Sequence, residues 1–542
     1  MQFNLLRDRW IPIRAKSGKR KTIAPWELTV EYTDDPVLQI DFPRADLNSG
    51  MIQLLIGAVQ TCLYPKSMFQ WQRFKENPPD PEFLWQSMDK EADAFELAGK
   101  GPRFMQDLTL PREEKRNEVH VRGLFIDEPG NNTLRHNTDF FVKRGRVESI
   151  CPSCAAAALY TLQANSPAGG QGTRTSLRGG GPLTTLILGR TLWETIWFNV
   201  LDRSQMESLP CDASQPREGG CYPWMAPTET SEGGNGTNPS QKHPLHVYWA
   251  MPRRIRLLFD HSEQGKCSVC GTETDIAVNR YWAKNLGYNY IGPWEHPLTP
   301  YSRQGQNEPY PMKGSPTGIR YRNWLGLIDR SQEGSTLQRI PARVVTVFRD
   351  HRAFSASESG APDYRVWAFG YDMDNMKARS WVEGIVPVYE VSKELRPKYS
   401  AWIERYIQCA DRVANNLRQA AKKGLFDTNR EVKSDNSLLN ALDLRFWSDT
   451  EQPFYRAMRE LRNALEKGMD APPVEDRRHW LNNILFRQAQ AIFDEAVSSG
   501  EFKAEKHRRV ALAWDQLNRH NSLRVRFFQD TMDLPQTAQQ QA

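Results

Sequence analysis

Two short cysteine pairs, Cys151-Pro152-Ser153-Cys154 and Cys267-Ser268-Val269-Cys270, constrain this chain more than any other feature. Each C-x-x-C pair presents two soft thiolates from one tight turn, and two pairs complete a closed tetrahedral zinc site. More than a hundred residues lie between the pairs, far more than in a compact zinc ribbon. A structural zinc on Cys151, Cys154, Cys267 and Cys270 therefore ties together two distant parts of one domain. Free thiols or a vestigial site are the plainer alternative. A redox role is disfavoured, because neither pair sits in a thioredoxin-like βαβ context. The remaining Cys62, Cys211, Cys221 and Cys409 are too scattered for a disulfide scaffold, and they read as buried or incidental thiols.

A chain of 542 residues is too long for one ordinary core. Its 71 basic and 65 acidic side chains leave a formal net charge of only +6, so any nucleic-acid surface has to be local. The opening Met1 to Trp10 meets charge too early for a signal peptide, and no apolar run of about 18 residues appears. A cytoplasmic protein without membrane contact is expected.

The patterning predicts an α+β chain in two parts. Up to residue 376 the text is irregular, with short apolar runs such as Pro182–Leu188 and Arg343–Phe348 that read as β-strands of a mixed α/β domain. Residues 211–243 are rich in Gly, Pro, Ser and Thr, and read as a long mobile loop. From residue 377 the period becomes helical. Ile403, Tyr406, Ile407, Ala410, Val413 and Leu417 form one stripe, and Phe454, Met458, Leu461 and Leu465 a second. Leu481, Leu485, Ile492 and Ala496 form a third, and Val510, Trp514 and Leu517 a fourth, with Gly424, Gly468 and Gly500 near the gaps. Four such helices with short connections predict an antiparallel four-helix bundle over 377–542.

Three further segments carry candidate chemistry. Ala168 to Gly181 holds Gly169, Gly170, Gly172, Gly179, Gly180 and Gly181 around Arg174 and Arg178. Glycines let a backbone approach a ligand closely, and the arginines can neutralise phosphates beside it; a flexible surface loop is the bland reading. No Gly-Lys-Ser/Thr follows, so this is not a nucleotide P-loop. Two basic-aromatic patches, His136 to Arg146 and Arg320 to Trp324, can stack on bases, or can be surface charge over core rings. No H-E-x-x-H, G-x-S-x-G or NTPase motif pair occurs. His296 reads as a packed turn residue, and nothing points to an enzyme.

In order and spacing, these segments resemble the CasA family, the large subunit of the type I-E CRISPR surveillance complex Cascade. The resemblance runs from Asn4-Leu5-Leu6-Arg7-Asp8-Arg9-Trp10 through both cysteine pairs and Leu177-Arg178-Gly179-Gly180 to Gly370-Tyr371-Asp372-Met373-Asp374-Asn375-Met376. It implies a non-catalytic protein that works with other Cascade subunits, CRISPR guide RNA, double-stranded target DNA and a helicase-nuclease. Its task would be to recognise the short motif flanking a target, the PAM, and to start duplex opening.

By the same resemblance, Ala168, Gly169, Gly170, Gln171 and Gly172 form a glycine loop that meets the minor groove, with Arg174 beside it. Minor-groove edges offer a degenerate pattern, so tolerance of several motifs follows. A lysine finger falls on Ala283-Lys284-Asn285, with Asn285 at the aligned position and Lys284 adjacent. A wedge falls on Asp374, Asn375 and Met376, where Asp374 departs from the family's amides. Phe140, Phe141 and Lys143 match a segment that fixes the subunit in its complex and supports PAM binding. A zinc-dependent nuclease and a pure scaffold without DNA contact are the competing readings.

Overall fold

The computed structural model describes residues 2–110, 118–137, 145–259, 263–331, 337–351, 363–374, 376–426, 436–498 and 504–535. Two compact units are present. One comprises Met1–Gly314, Ala342–Phe348 and Phe369–Val382, and the other Ser315–Pro341, Arg349–Ala368 and Glu383–Ala542. A single boundary at residue 376 does not describe this division. The short segments 342–348 and 369–382 join the first unit because they bring it buried apolar side chains, among them Val344, Val345, Phe348, Phe369 and Tyr371.

In the first unit, strand Ile11–Ala15 lies between Arg20–Ile23 and Val37–Ile40 in an antiparallel sheet. Ile11, Ile13 and Ala15 alternate inward and are fully buried, the period of two that a half-buried strand requires. Beside it, helix Ala45–Leu63 is buried on almost every face. It packs on helix Pro152–Asn165, and the close approach falls at Gly50, where an added Cβ would lie 2.0 Å from the Thr161 hydroxyl. The run Ala155 to Ala158 keeps the facing surface low. Thr184–Leu188 is a strand as expected.

Two segments differ from expectation. Arg343 to Phe348 is not a strand but part of helix Arg343–His351. Val344, Val345 and Phe348 are fully buried, a helical spacing that tertiary packing imposed over β-branched propensity. Residues 211–243 do not form an open loop. They carry short helical turns, with Tyr222 and Trp224 buried, and the Trp224 indole donates to the Ala94 carbonyl at 2.6 Å. Arg217 pairs with Glu91, and Lys242 with Glu229. Two aromatic rings and these polar anchors supply the burial that few aliphatic residues could not.

The first unit buries three histidines, His243, His246 and His296. Burial pushes His246 down to about 3 while its ring contacts the Gly220 carbonyl and the Tyr290 hydroxyl, and pushes His243 to about 4. Their folded values lie below the unfolded value of about 6.5, so the unfolded chain binds the extra protons. Stability is complete above pH about 6.5 and falls as the pH drops toward 3, by roughly 1.4 kcal/mol per pH unit for each histidine. Urea unfolding between pH 7 and 4 checks this. His246→Asn is expected to remove one histidine's share of the slope, and a slope unchanged in that variant would overturn the assignment.

The second unit is helical. Helix Arg396–Leu425 buries all six residues of the first predicted stripe and packs against helices Ser437–Asp449, Glu451–Glu466, Arg487–Ser498 and Ala504–His520. Helix Ser437–Asp449 was absent from the periodic reading, yet it buries Leu439, Leu442, Phe446 and Trp447. The third stripe spans a π-helical turn Trp480–Phe486, which continues helix Val474–His479, and helix Arg487–Ser498. The fourth is out of phase: Ala513 and Leu517 are buried, while Trp514 is 44 % exposed. Gly468, at φ +80°, follows a helix end as expected. Gly424 instead lies inside a helix, where a Cβ would meet Phe493 at 3.3 Å.

The patch Arg320 to Trp324 is part of this unit's core. Tyr321 and Trp324 are fully buried, and Tyr321 stacks on Phe454 at 4.2 Å. Arg320 and Arg322 pair with Glu451 and Asp443. The rings are therefore not available for bases. No described helix is long and apolar enough to cross a membrane.

Candidate metal centre and nucleic-acid interface

The cysteine pairs meet where the backbone beside them is paired. Ile150 and Val278 exchange backbone hydrogen bonds of 2.9 and 2.8 Å. The Ser268 N–H donates to the Ser149 carbonyl at 2.8 Å, and its hydroxyl accepts from the Glu148 and Ser149 amides. Pro152 opens the following helix at a position where its missing N–H costs nothing, and Cys151 caps it. Cys267 closes a turn with the Gly271 amide at 2.9 Å, and Gly271 adopts φ +75°.

All four sulfur atoms lie within 4.8 Å of one another, and Cys151 and Cys270 approach to 3.7 Å. None forms a disulfide. Metal–sulfur bonds of about 2.3 Å place tetrahedral sulfur atoms about 3.8 Å apart, so the cluster fits one four-coordinate metal ion. Hydrogen bonds from Cys151 and its neighbours pull Cys267 down to about 6 and lower Cys270 as well, whereas the bond with Cys151 pushes Cys154 up. Four protein ligands would leave no position for a metal-bound water, so a metal held by all four would hold structure rather than hydrolyse.

The remaining candidate residues gather elsewhere in the same unit. The Asn285 side-chain amide donates to the Gln171 carbonyl at 2.8 Å, and the Leu286 backbone N–H donates to the Gly172 carbonyl at 2.8 Å. Gly172 adopts φ +76°, and a Cβ there would lie 3.0 Å from Leu286 and 3.2 Å from Asn285. Leu286 is itself left-handed at φ 64°, a conformation that costs a non-glycine residue about 1 kcal/mol or more. Its backbone is held on both sides, because its carbonyl also accepts from the Ser231 amide at 3.1 Å. Lys284 ends strand Arg280–Lys284 and is exposed. With the Asn285 amide engaged by Gln171, Lys284 is the freer of the two to reach outward.

Strands Tyr364–Asp374 and Lys377–Val388 pair as a hairpin whose turn carries the third element. Asp374 and Met376 are exposed there, Met376 at 53 %. Gly181, at φ +62°, packs against the same strand, where a Cβ would lie 2.3 Å from Met373. The glycine segment thus touches the finger at one end and the hairpin at the other. Asn375, Phe140, Phe141 and Lys143 lie outside the described residues.

Of the two arginines, Arg174 is half-exposed and donates to the Ser231 hydroxyl at 2.8 Å. Arg178 is 3 % exposed and cannot neutralise a phosphate directly; burial lowers it to about 10. The Ser231 and Leu286 contacts left no local sequence signal, since both join positions far apart in the chain. His296 is 4 % exposed, and its ring accepts from the Leu298 amide, as a packed turn residue does.

Residues 4–491 match the family model for CRISPR-associated protein Cse1. The chain belongs to the Cse1 family. Its fold is that of Thermus thermophilus CasA (Cse1), with a TM-score of 0.67 at 16 % identity over 96 % of this chain and 100 % of that one. Thermobifida fusca Cse1 gives 0.68 at 14 % identity, covering 98 % of each chain. A chain of a CRISPR RNA-guided surveillance complex gives 0.65 at 15 % identity over 95 % and 99 %. The Cse1 family assignment agrees with the segments that suggested CasA, and it spans both units of the fold.

Proposed function

We propose that this Cse1 chain is the large, non-catalytic subunit of a type I-E CRISPR RNA-guided complex acting in the cytoplasm. The observation that carries the reading is the meeting of the glycine segment with the finger and the hairpin in one unit. Ala168 to Gly172 would approach the minor groove through backbone groups, with Arg174 and Lys284 beside the phosphates. Asp374, Asn375 and Met376 would press into the duplex beneath the PAM. Phe140, Phe141 and Lys143 would help seat the chain among its partner subunits and guide RNA. A zinc ion on Cys151, Cys154, Cys267 and Cys270 would hold the unit's shape, and the opened complex would recruit a helicase-nuclease.

The energetics agree with this division of labour. Unstacking a base step costs a few kcal/mol, which an inserted apolar side chain such as Met376 offsets and guide pairing then recovers. Initiation needs no ATP. Reconstitution with guide-loaded partner subunits tests the reading, comparing duplexes with and without candidate flanking motifs. The double variant Asn375→Ala, Met376→Ala is expected to weaken binding of intact duplex about tenfold, with little effect on a pre-melted target. Equal loss on both targets would remove the wedge, and motif-independent binding would remove the recognition role.

A further inference from the structure

We infer that Arg178 is a positioning residue that fixes the glycine loop for its encounter with duplex DNA. This rests on the reading of residues 168–172 given above. The loop leaves the end of helix Pro152–Asn165 and returns to strand Thr184–Leu188. Its base is closed by the Ser176 amide donating to the Ser166 carbonyl at 3.1 Å and by the Ser176 hydroxyl donating to the Gly179 carbonyl at 2.6 Å.

Arg178 lies beneath that closure and joins four separate parts of the unit. Its Nη1 donates to the Thr184 hydroxyl at 2.9 Å and the Thr299 hydroxyl at 3.3 Å. Its Nη2 donates to Gln53 Oε1 at 2.7 Å and to the Ala164 carbonyl at 3.3 Å. A second arginine holds the outgoing end: Arg253 Nη2 donates to the Pro167 carbonyl at 2.5 Å, and its amide donates to Gln163 Oε1 at 3.0 Å.

Among the described residues, no carboxylate accepts from either guanidinium. A buried cation without a counter-ion is a costly choice for a core. Here the Ala164 carbonyl in the last turn of helix Pro152–Asn165 faces Arg178, where the negative end of the helix dipole favours a cation, and the Pro167 carbonyl just beyond the helix faces Arg253. The planar fork of Arg178 reaches four neutral acceptors at once, which the point charge of a lysine cannot do. With both loop ends fixed, the glycines between them keep their backbone donors and acceptors in one arrangement.

The test uses the full chain in the reconstituted complex, with intact and pre-melted targets, several flanking motifs and several salt concentrations. R178K retains charge and loses geometry. It is expected to weaken binding of motif-bearing duplex about tenfold and to narrow discrimination among motifs. The salt dependence should not change, because Arg178 touches no phosphate, whereas Lys284→Ala should reduce the salt slope by about one. Hydrogen exchange of the Gly169 to Thr173 amides should quicken in R178K.

Wild-type discrimination in a folded R178K overturns the inference, as does equal loss on both targets. If R178K does not fold, Thr299→Val removes one acceptor alone and should cause a smaller loss in the same direction; no change in discrimination there overturns the inference too. Gly172→Val separates the two levels. If it leaves motif-dependent binding intact, the glycine-loop reading itself fails. If it abolishes that binding while R178K does not alter it, only the role of Arg178 fails.

Discussion

Serine in place of Cys154 and Cys267 is expected to remove one bound zinc ion per chain and to destabilise the first unit by several kcal/mol. The sign follows from the geometry: four sulfur atoms within 4.8 Å match the donor set of one tetrahedral divalent cation. Zinc binding in small domains is worth about 10 kcal/mol or more, because the metal holds only the folded chain together. Here the surrounding core is large, so part of the fold survives and the loss is smaller. The damage should be local. Backbone bonds between Ile150 and Val278 and between Ser268 and Ser149 depend on the two turns staying together. Metal analysis and urea unfolding of the purified chain check both parts. Less than half an equivalent of zinc in the gently purified wild type, or equal stability in the variant, would sink the claim. Retention should weaken in acid, since the ligands bind as thiolates.

Gly172→Val is expected to abolish most of the preference for a flanking motif while leaving the chain folded. Two effects combine at this position. A β-branched residue at φ +76° is strained by roughly 2 kcal/mol, and its Cβ would lie 3.0 Å from Leu286 and 3.2 Å from Asn285. Moving the loop away from the finger relieves both at once. That movement breaks the Leu286 to Gly172 backbone bond and draws Gln171 from the Asn285 amide. A loss of motif-dependent affinity of about thirtyfold corresponds to about 2 kcal/mol. Duplex binding by the reconstituted complex, with and without the motif, measures it. Thermal unfolding of the isolated chain separates a displaced loop from an unfolded one, because Gly172 lies at a surface rather than in the core.

The periodic parts of the chain were legible because their chemistry is local. Ile403 to Leu417 repeat at three and four residues, and all of them face inward on helix Arg396–Leu425. The cysteine pairs declared a shared site through ligand type and spacing, since nothing else in the sequence concentrates soft donors. Family membership was legible from ordered segments distributed over nearly the whole chain.

Where tertiary contact decided the outcome, local pattern misled. Arg343 to Phe348 carries β-branched residues, yet burial of Val344, Val345 and Phe348 selects a helix. Residues 211–243 are poor in aliphatic side chains, but Trp224 and Tyr222 anchor them to Ala94 and Glu91. Trp514 fitted a stripe by composition and turned outward, because Ala513 and Leu517 make the closer packing surface.

By itself, the sequence determined the helical character of the C-terminal region, the four thiols of the candidate metal centre and the family. Only the tertiary structure decided that Arg178 is a buried tie rather than a phosphate ligand, and that Asn285 grips the glycine loop while Lys284 is exposed. The reason is separation along the chain. A side chain's environment is set by partners such as Gln53 and Thr299, more than a hundred residues from Arg178, and no local pattern encodes which of two arginines in one loop will meet them.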